Sequence, residues 1–264
     1  MTTAKLINSD NIESITNCVI FDCRFSLADP DQGRVDYLAG HIPRAQYIDL
    51  GKDLSGPIAR HGGRHPLPSP ADFAATLASY GVGPQTNVIA YDDHGLAYAA
   101  RLWWMMRSLG FKPPWLLNGG YRAWIAGEGQ VETAIPVAEP CSACESSTFD
   151  GWCDIEGLRM LQGEGALVID SREERRYQGL EEPIDPIAGH IPGAINCPWL
   201  NVAALSGDVD TQRANWGDIL EADKIVVYCG SGVTACVNLF SLAMSGRDDA
   251  VLYAGSWSDW CSHL

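Results

Sequence analysis

Basic side chains are scarce in this chain. Across 264 residues, 18 Lys and Arg face 33 Asp and Glu, a formal net charge of −15. So acidic a surface argues against nucleic acid or an anionic membrane as a partner, because both require concentrated positive charge. No apolar run approaches the roughly 18 residues of a membrane span, and Met1-Thr2-Thr3-Ala4-Lys5-Leu6-Ile7-Asn8 lacks the apolar stretch of a signal peptide. These absences point to a cytoplasmic protein with no membrane partner. An even cysteine set is also missing. The nine cysteines stand at 18, 23, 141, 144, 153, 197, 229, 236 and 261, and free thiols in a reducing compartment fit them better than a disulfide framework. Cys141-Ser142-Ala143-Cys144 is a C-x-x-C without a second pair, which is a weak zinc signal even with Cys153 nearby. Neither a metal nor an organic cofactor is expected.

What is present is apolar material, 46% of residues, enough for one large or two ordinary cores. The most informative stretch is Tyr228-Cys229-Gly230-Ser231-Gly232-Val233-Thr234-Ala235, preceded by Lys224-Ile225-Val226-Val227. A buried strand ends in a cysteine, two glycines permit a tight turn, and Thr234 stands where a helix can begin. Inward-pointing amides from Gly230 to Ala235, including those of Gly232, Val233 and Thr234, would form an anion site reinforced by the helix dipole. In such a place a thiol should ionise readily. A buried structural cysteine is the plainer alternative.

Four blocks recur in one order. Val19-Ile20-Phe21-Asp22 matches Leu167-Val168-Ile169-Asp170, and Ala39-Gly40-His41-Ile42-Pro43 matches Ala188-Gly189-His190-Ile191-Pro192. Val88-Ile89-Ala90-Tyr91-Asp92 matches Val226-Val227-Tyr228-Cys229, and Leu117-Asn118-Gly119-Gly120-Tyr121 matches Tyr253-Ala254-Gly255-Ser256-Trp257. The chain therefore reads as two copies of one α/β domain, each a mainly parallel sheet with helices on both faces. The expected boundaries are residues 1–128, a Gly-, Pro- and Ser-rich linker at 129–147, and residues 148–264. Only the second copy has cysteine at the end of the decisive strand. The first has Asp92, which cannot perform thiolate chemistry, so the first domain is expected to be catalytically inactive.

The paired Gly-His-Ile-Pro blocks, the terminal Gly255-Ser256-Trp257-Ser258-Asp259-Trp260 pattern and the Cys229 loop together resemble the two-domain rhodanese family of sulfurtransferases. The loop looks like the 3-mercaptopyruvate version, since thiosulfate-preferring members carry basic residues directly after the cysteine. The resemblance implies two tandem rhodanese-like domains, the second catalytic. It also implies a ping-pong transfer: Cys229 takes a sulfane sulfur from a small donor as a persulfide, and cyanide, a thiol or thioredoxin removes it. Transfer from 3-mercaptopyruvate is the first expectation; thiosulfate as donor, or a non-enzymatic persulfide relay, are the alternatives.

The same resemblance suggests further roles. Ser231 would donate a hydrogen bond to the donor, or else serve only the turn. His41, with Asp31 as acidic partner, would relay to that serine, or else be a buried turn histidine like His190. Arg176 matches the arginine that binds the donor's negative end, or else is a solvated charge. Mercaptopyruvate enzymes place a second arginine some nine residues later, whereas Pro183-Ile184-Asp185-Pro186 has none. The basic stretch Arg60-His61-Gly62-Gly63-Arg64-His65 is expected to compensate, with Arg60 or Arg64 supplying the charge. A cysteine phosphatase would need arginine where Ala235 stands, so phosphoryl transfer lacks its main clamp.

Overall fold

The computed structural model describes residues 4–144, 148–203 and 208–264, and its internal contacts divide them into two compact units. One consists of residues 4–56 and 68–150. The other joins Gly151–Leu264 to Pro57–Leu67, so the basic stretch expected in the first domain packs with the cysteine-bearing one.

In the N-terminal unit the strands are β1 (Lys5–Ile7), β2 (Cys18–Asp22), β3 (Ala45–Tyr47), β4 (Asn87–Tyr91) and β5 (Trp115–Leu117). They form one sheet in the order β1-β5-β4-β2-β3, every pairing parallel. Between them run α1 (Gln32–Ala39), α2 (Pro70–Ser79) and α3 (Ala99–Ser108), with α4 (Gly120–Ala126) after β5. Ile20 to Asp22 and Val88 to Tyr91 are buried without interruption, as parallel strands covered on both faces must be. At the start of α2, Ser69 Oγ accepts from Asp72 N–H and Pro70 takes the first helical position, where its missing N–H costs nothing.

The C-terminal unit repeats this plan with β6 (Trp152–Cys153), β7 (Leu167–Asp170), β8 (Ile195–Asn196), β9 (Ile225–Tyr228) and β10 (Val251–Tyr253). Its order is β6-β10-β9-β7-β8, again all parallel. The helices are α5 (Ile155–Gly163), α6 (Glu174–Tyr177), α7 (Trp199–Ala203), α8 (Val209–Trp216), α9 (Ala235–Met244) and α10 (Ser256–Cys261). No helix among the described residues is long and apolar enough to cross a membrane.

Equivalent buried ion pairs brace both sheets. Arg24 is bound to Asp22 at 2.6 Å and reaches the Gly40 carbonyl at 2.7 Å; Arg172 is bound to Asp170 at 2.7 Å and reaches Gly189 at 2.6 Å. Tyr91 OH and Tyr228 OH accept from the Ile42 and Ile191 N–H groups. These contacts tie the Gly-His-Ile-Pro turn of each unit to the carboxyl end of its central strands.

Candidate active site

β9 is buried along its whole length and delivers Cys229, a free thiol 1% exposed, to the carboxyl edge of the sheet. Ligands of open parallel sheets bind at that edge. The loop after it is stitched to the first turn of α10. Cys229 N–H donates to Ser256 Oγ at 3.1 Å, Trp257 N–H to Cys229 O at 3.0 Å, and Ser258 N–H to Gly230 O at 2.9 Å. Gly232 has φ +75°, and a Cβ there would lie 2.3 Å from the Ala254 carbonyl oxygen. Only glycine satisfies both demands. Val233 is buried, and half-buried Thr234 precedes α9 without capping it through its side chain. Cys236 is fully buried on that helix, its Sγ donating to Gly232 O.

Two guanidiniums flank the residue after the cysteine. A Cβ on Gly230 would lie 3.1 Å from Arg64 Nη2 and 3.4 Å from Arg176 Nη2. Asp185 binds both: Arg64 Nη1 donates to its Oδ1, and Arg176 Nη2 to its Oδ2 at 3.3 Å. Arg176 also donates to Glu182 Oε1 at 2.7 Å, and the other Glu182 oxygen accepts from Arg172 at 3.1 Å. Burial lowers the pKa of Arg64, Cys229 opposes that shift, and the facing Arg176 adds to it. Arg60 is exposed, so Arg64 is the arginine of the basic stretch that reaches the loop. Ser231, 5% exposed, has its Oγ 2.9 Å from His65 Nδ1.

Family comparisons agree with this architecture. The rhodanese-like domain matches residues 3–127 and again 156–263. The chain belongs to the rhodanese family. A Pseudomonas aeruginosa protein named "Probable 3-mercaptopyruvate sulfurtransferase" is 38% identical over 98% of this chain and 96% of its own. The thiosulfate sulfurtransferase of Cricetulus griseus is 33% identical over 87% of this chain and 80% of its own. Among solved structures, the 3-mercaptopyruvate sulfurtransferase from Leishmania major superposes with a TM-score of 0.86 at 29% identity, covering 99% of this chain and 75% of that one. Relatives over nearly the whole length are thus sulfurtransferases, and their names divide between two donors.

One expected pairing does not form in this rhodanese. His41 is wholly buried and stacked on Tyr37, with Nδ1 2.8 Å from the Tyr37 carbonyl and Nε2 3.2 Å from the Ala134 carbonyl. Asp31 is exposed at the beginning of α1, whereas His41 lies just beyond its end; eight helical residues separate them by roughly 12 Å. His41 is a turn histidine, as is its counterpart His190, which stacks on Tyr177 and contacts its carbonyl at 2.8 Å. The imidazole beside Ser231 is His65. Its place within the basic stretch was a usable signal, but nothing local distinguished it from His61. Asp185 and Glu182 were missed because a carboxylate was not expected between two arginines read as binding a donor's negative end.

The N-terminal unit shows what this loop does when its anion is built in. The Asp92 carboxylate is fully buried and accepts four backbone N–H groups, from His94, Leu96, Tyr98 and Ala99, at 2.8–3.0 Å. Burial raises its pKa and these four bonds hold it back. The loop amides are therefore spent on an internal carboxylate.

Burial raises the pKa of Cys153, Cys197 and Cys261 in the C-terminal unit. It pushes Cys153 from an ordinary 9.0 up to about 12 and Cys197 up to about 11, and it raises Cys261 as well. A thiol whose folded pKa is raised contributes stability that is complete below its unfolded value and lost as pH climbs through the folded one. The thermal midpoint is therefore expected to fall between about pH 9 and pH 12. Cys153→Ala should start lower, through lost packing, and decline less steeply. A midpoint that stays flat to pH 11 would contradict this.

Proposed function

We propose that this chain moves a sulfane sulfur from 3-mercaptopyruvate, through a persulfide on Cys229, to a thiophilic acceptor such as cyanide, a thiol or thioredoxin, in the cytoplasm and without a cofactor. The observation that carries the reading is the setting of Gly230, flanked by the Arg64 and Arg176 guanidiniums beside a buried Cys229. The two-domain architecture and the sulfurtransferase relatives support it, and nine unpaired cysteines favour a reducing compartment.

The steps balance without an external oxidant. The donor carboxylate lies against Arg176 and Arg64, which match it in shape and charge. Cys229 thiolate attacks the donor sulfur, the sulfur–carbon bond breaks, and its electron pair passes to the carbonyl oxygen as an enolate. Ser231, held by His65, donates a hydrogen bond to that oxygen, and the proton that the donor sulfur carried passes to carbon, completing pyruvate and leaving the persulfide as an anion. The amides of Gly230, Gly232, Val233 and Thr234 support the persulfide anion. The acceptor then attacks the outer sulfur and returns the thiolate.

Charge favours mercaptopyruvate over thiosulfate. Asp185 and Glu182 balance Arg64 and Arg176, which leaves room for a monoanion more readily than for a dianion. One full charge at ~6 Å and an effective dielectric near 20 is worth ~2–3 kcal/mol. Turnover of the two donors side by side, with cyanide as acceptor, should favour mercaptopyruvate, and Asp185→Asn should raise the thiosulfate-to-mercaptopyruvate ratio of kcat/KM by about tenfold or more. Wild-type preference for thiosulfate would overturn the donor assignment; an unchanged ratio in the variant would remove Asp185 from donor selection.

A further inference from the structure

His61, Asp259 and His263 meet at α10, on side chains that the proposed sulfur transfer does not use. Asp259 lies on α10, and His263 follows it by four residues on the continuing turn, where side chains share a face. His61 arrives from the basic stretch nearly two hundred residues earlier. The imidazoles of His61 and His263 are stacked, centroids 4.2 Å apart, and His263 Nε2 is 3.3 Å from Asp259 Oδ1. One donor atom from each of the three residues lies within 4.8 Å of the others.

The geometry points to a binding site for a divalent transition cation, of the zinc type, held by His61, Asp259 and His263. Two imidazoles and one carboxylate are the nitrogen and oxygen ligands such ions select. Ligands ~2.0–2.1 Å from a tetrahedral centre stand ~3.3 Å apart, so the three donors need to draw together modestly. Exposed His61 and His263 have room to turn. The carboxylate is already oriented from behind: Tyr253 OH donates to its Oδ2 and Gly62 N–H to its Oδ1, both at 2.7 Å. Outer contacts of this kind fix the ligands of metal sites. Asp259 is 4% exposed, and among the described residues its only ion-pair partner is an imidazole. A bound cation would complete the charge balance of that buried carboxylate.

Position gives the site a consequence. Gly62 and Arg64 already donate backbone N–H groups to Asp259 and Ser258. A cation bridging His61 to Asp259 of α10 would add a coordination tie at the root of the segment that carries Arg64 and His65 to the cysteine loop. Metal binding would thus stabilise that segment in place, outside the reaction itself.

The test uses full-length protein carrying Cys229→Ser together with Cys141→Ser and Cys144→Ser, which removes the loop thiol and the more accessible C-x-x-C pair, and titrates Zn²⁺ by calorimetry and Co²⁺ by absorption. One equivalent should bind and raise the thermal midpoint, and the cobalt spectrum should lack thiolate charge-transfer bands. Loss of an outer-shell partner costs about 10–100-fold in affinity, so His61→Ala and His263→Ala, each removing a direct ligand, should weaken binding at least tenfold. Both side chains lie near the surface, and unchanged circular dichroism would show that the variants fold. Binding indifferent to both substitutions, thiolate bands in the cobalt spectrum, or no saturable binding up to millimolar metal would each overturn the site.

Discussion

Cys229→Ser is expected to abolish sulfur transfer from either donor, lowering turnover by at least about a thousandfold, as removal of a covalent nucleophile does. The fold should survive. Serine is slightly smaller than cysteine, and the loop is held by the Cys229 N–H, the Cys229 carbonyl and the Gly230 carbonyl, which the substitution leaves in place. Wild-type protein treated with donor and no acceptor should gain the mass of one sulfur atom on the peptide containing Cys229, and the variant should not. Appreciable turnover by a folded variant would displace Cys229 from the chemistry altogether.

The second large effect falls on stability, in the other unit. Asp92→Ala leaves four N–H groups without their acceptor, those of Tyr98 and Ala99 buried and those of His94 and Leu96 part-buried. Each unmet buried donor costs ~1–3 kcal/mol, so a loss on the order of 4 kcal/mol or more is expected, a large share of the 5–15 kcal/mol that holds a typical domain together. Asp92→Asn keeps one acceptor oxygen and should lie between the two. Urea unfolding checks both: an alanine variant within about 1 kcal/mol of wild type would mean that water replaces the carboxylate cheaply. The same turn thus serves two ends. Asp92 fills its own cradle, whereas the matching strand end of the other unit carries the Cys229 thiol in its place.

Much of the fold was legible because it depends on local rules. Uninterrupted apolar runs at Val88–Ala90 and Ile225–Val227, bounded by turn residues, read as strands covered on both faces, and the glycines after Cys229 announced a tight turn in which Gly232 takes a positive φ. The matching blocks revealed a doubled architecture because equivalent packing demands equivalent residues: Asp22 with Arg24 and Asp170 with Arg172 make the same buried pair. The expected His41–Asp31 pair is absent for a related reason. A histidine in a Gly-His-Ile-Pro turn reads alike whether its ring faces a substrate or a carbonyl. Only the stacked Tyr37 ring and the two carbonyls around it decide between those roles.

The sequence by itself therefore determined the class of fold, its two copies and the copy that carries the thiol, since each follows from periodicity, turn stereochemistry or residue spacing. Tertiary structure decided which groups surround that thiol. Arg64 meets Asp185 across 121 positions of chain, and His65 meets Ser231 across 166. Contacts of that span arise from how packed elements bring distant segments together, and no local pattern of residues encodes which of two neighbouring arginines, or which of two histidines, arrives.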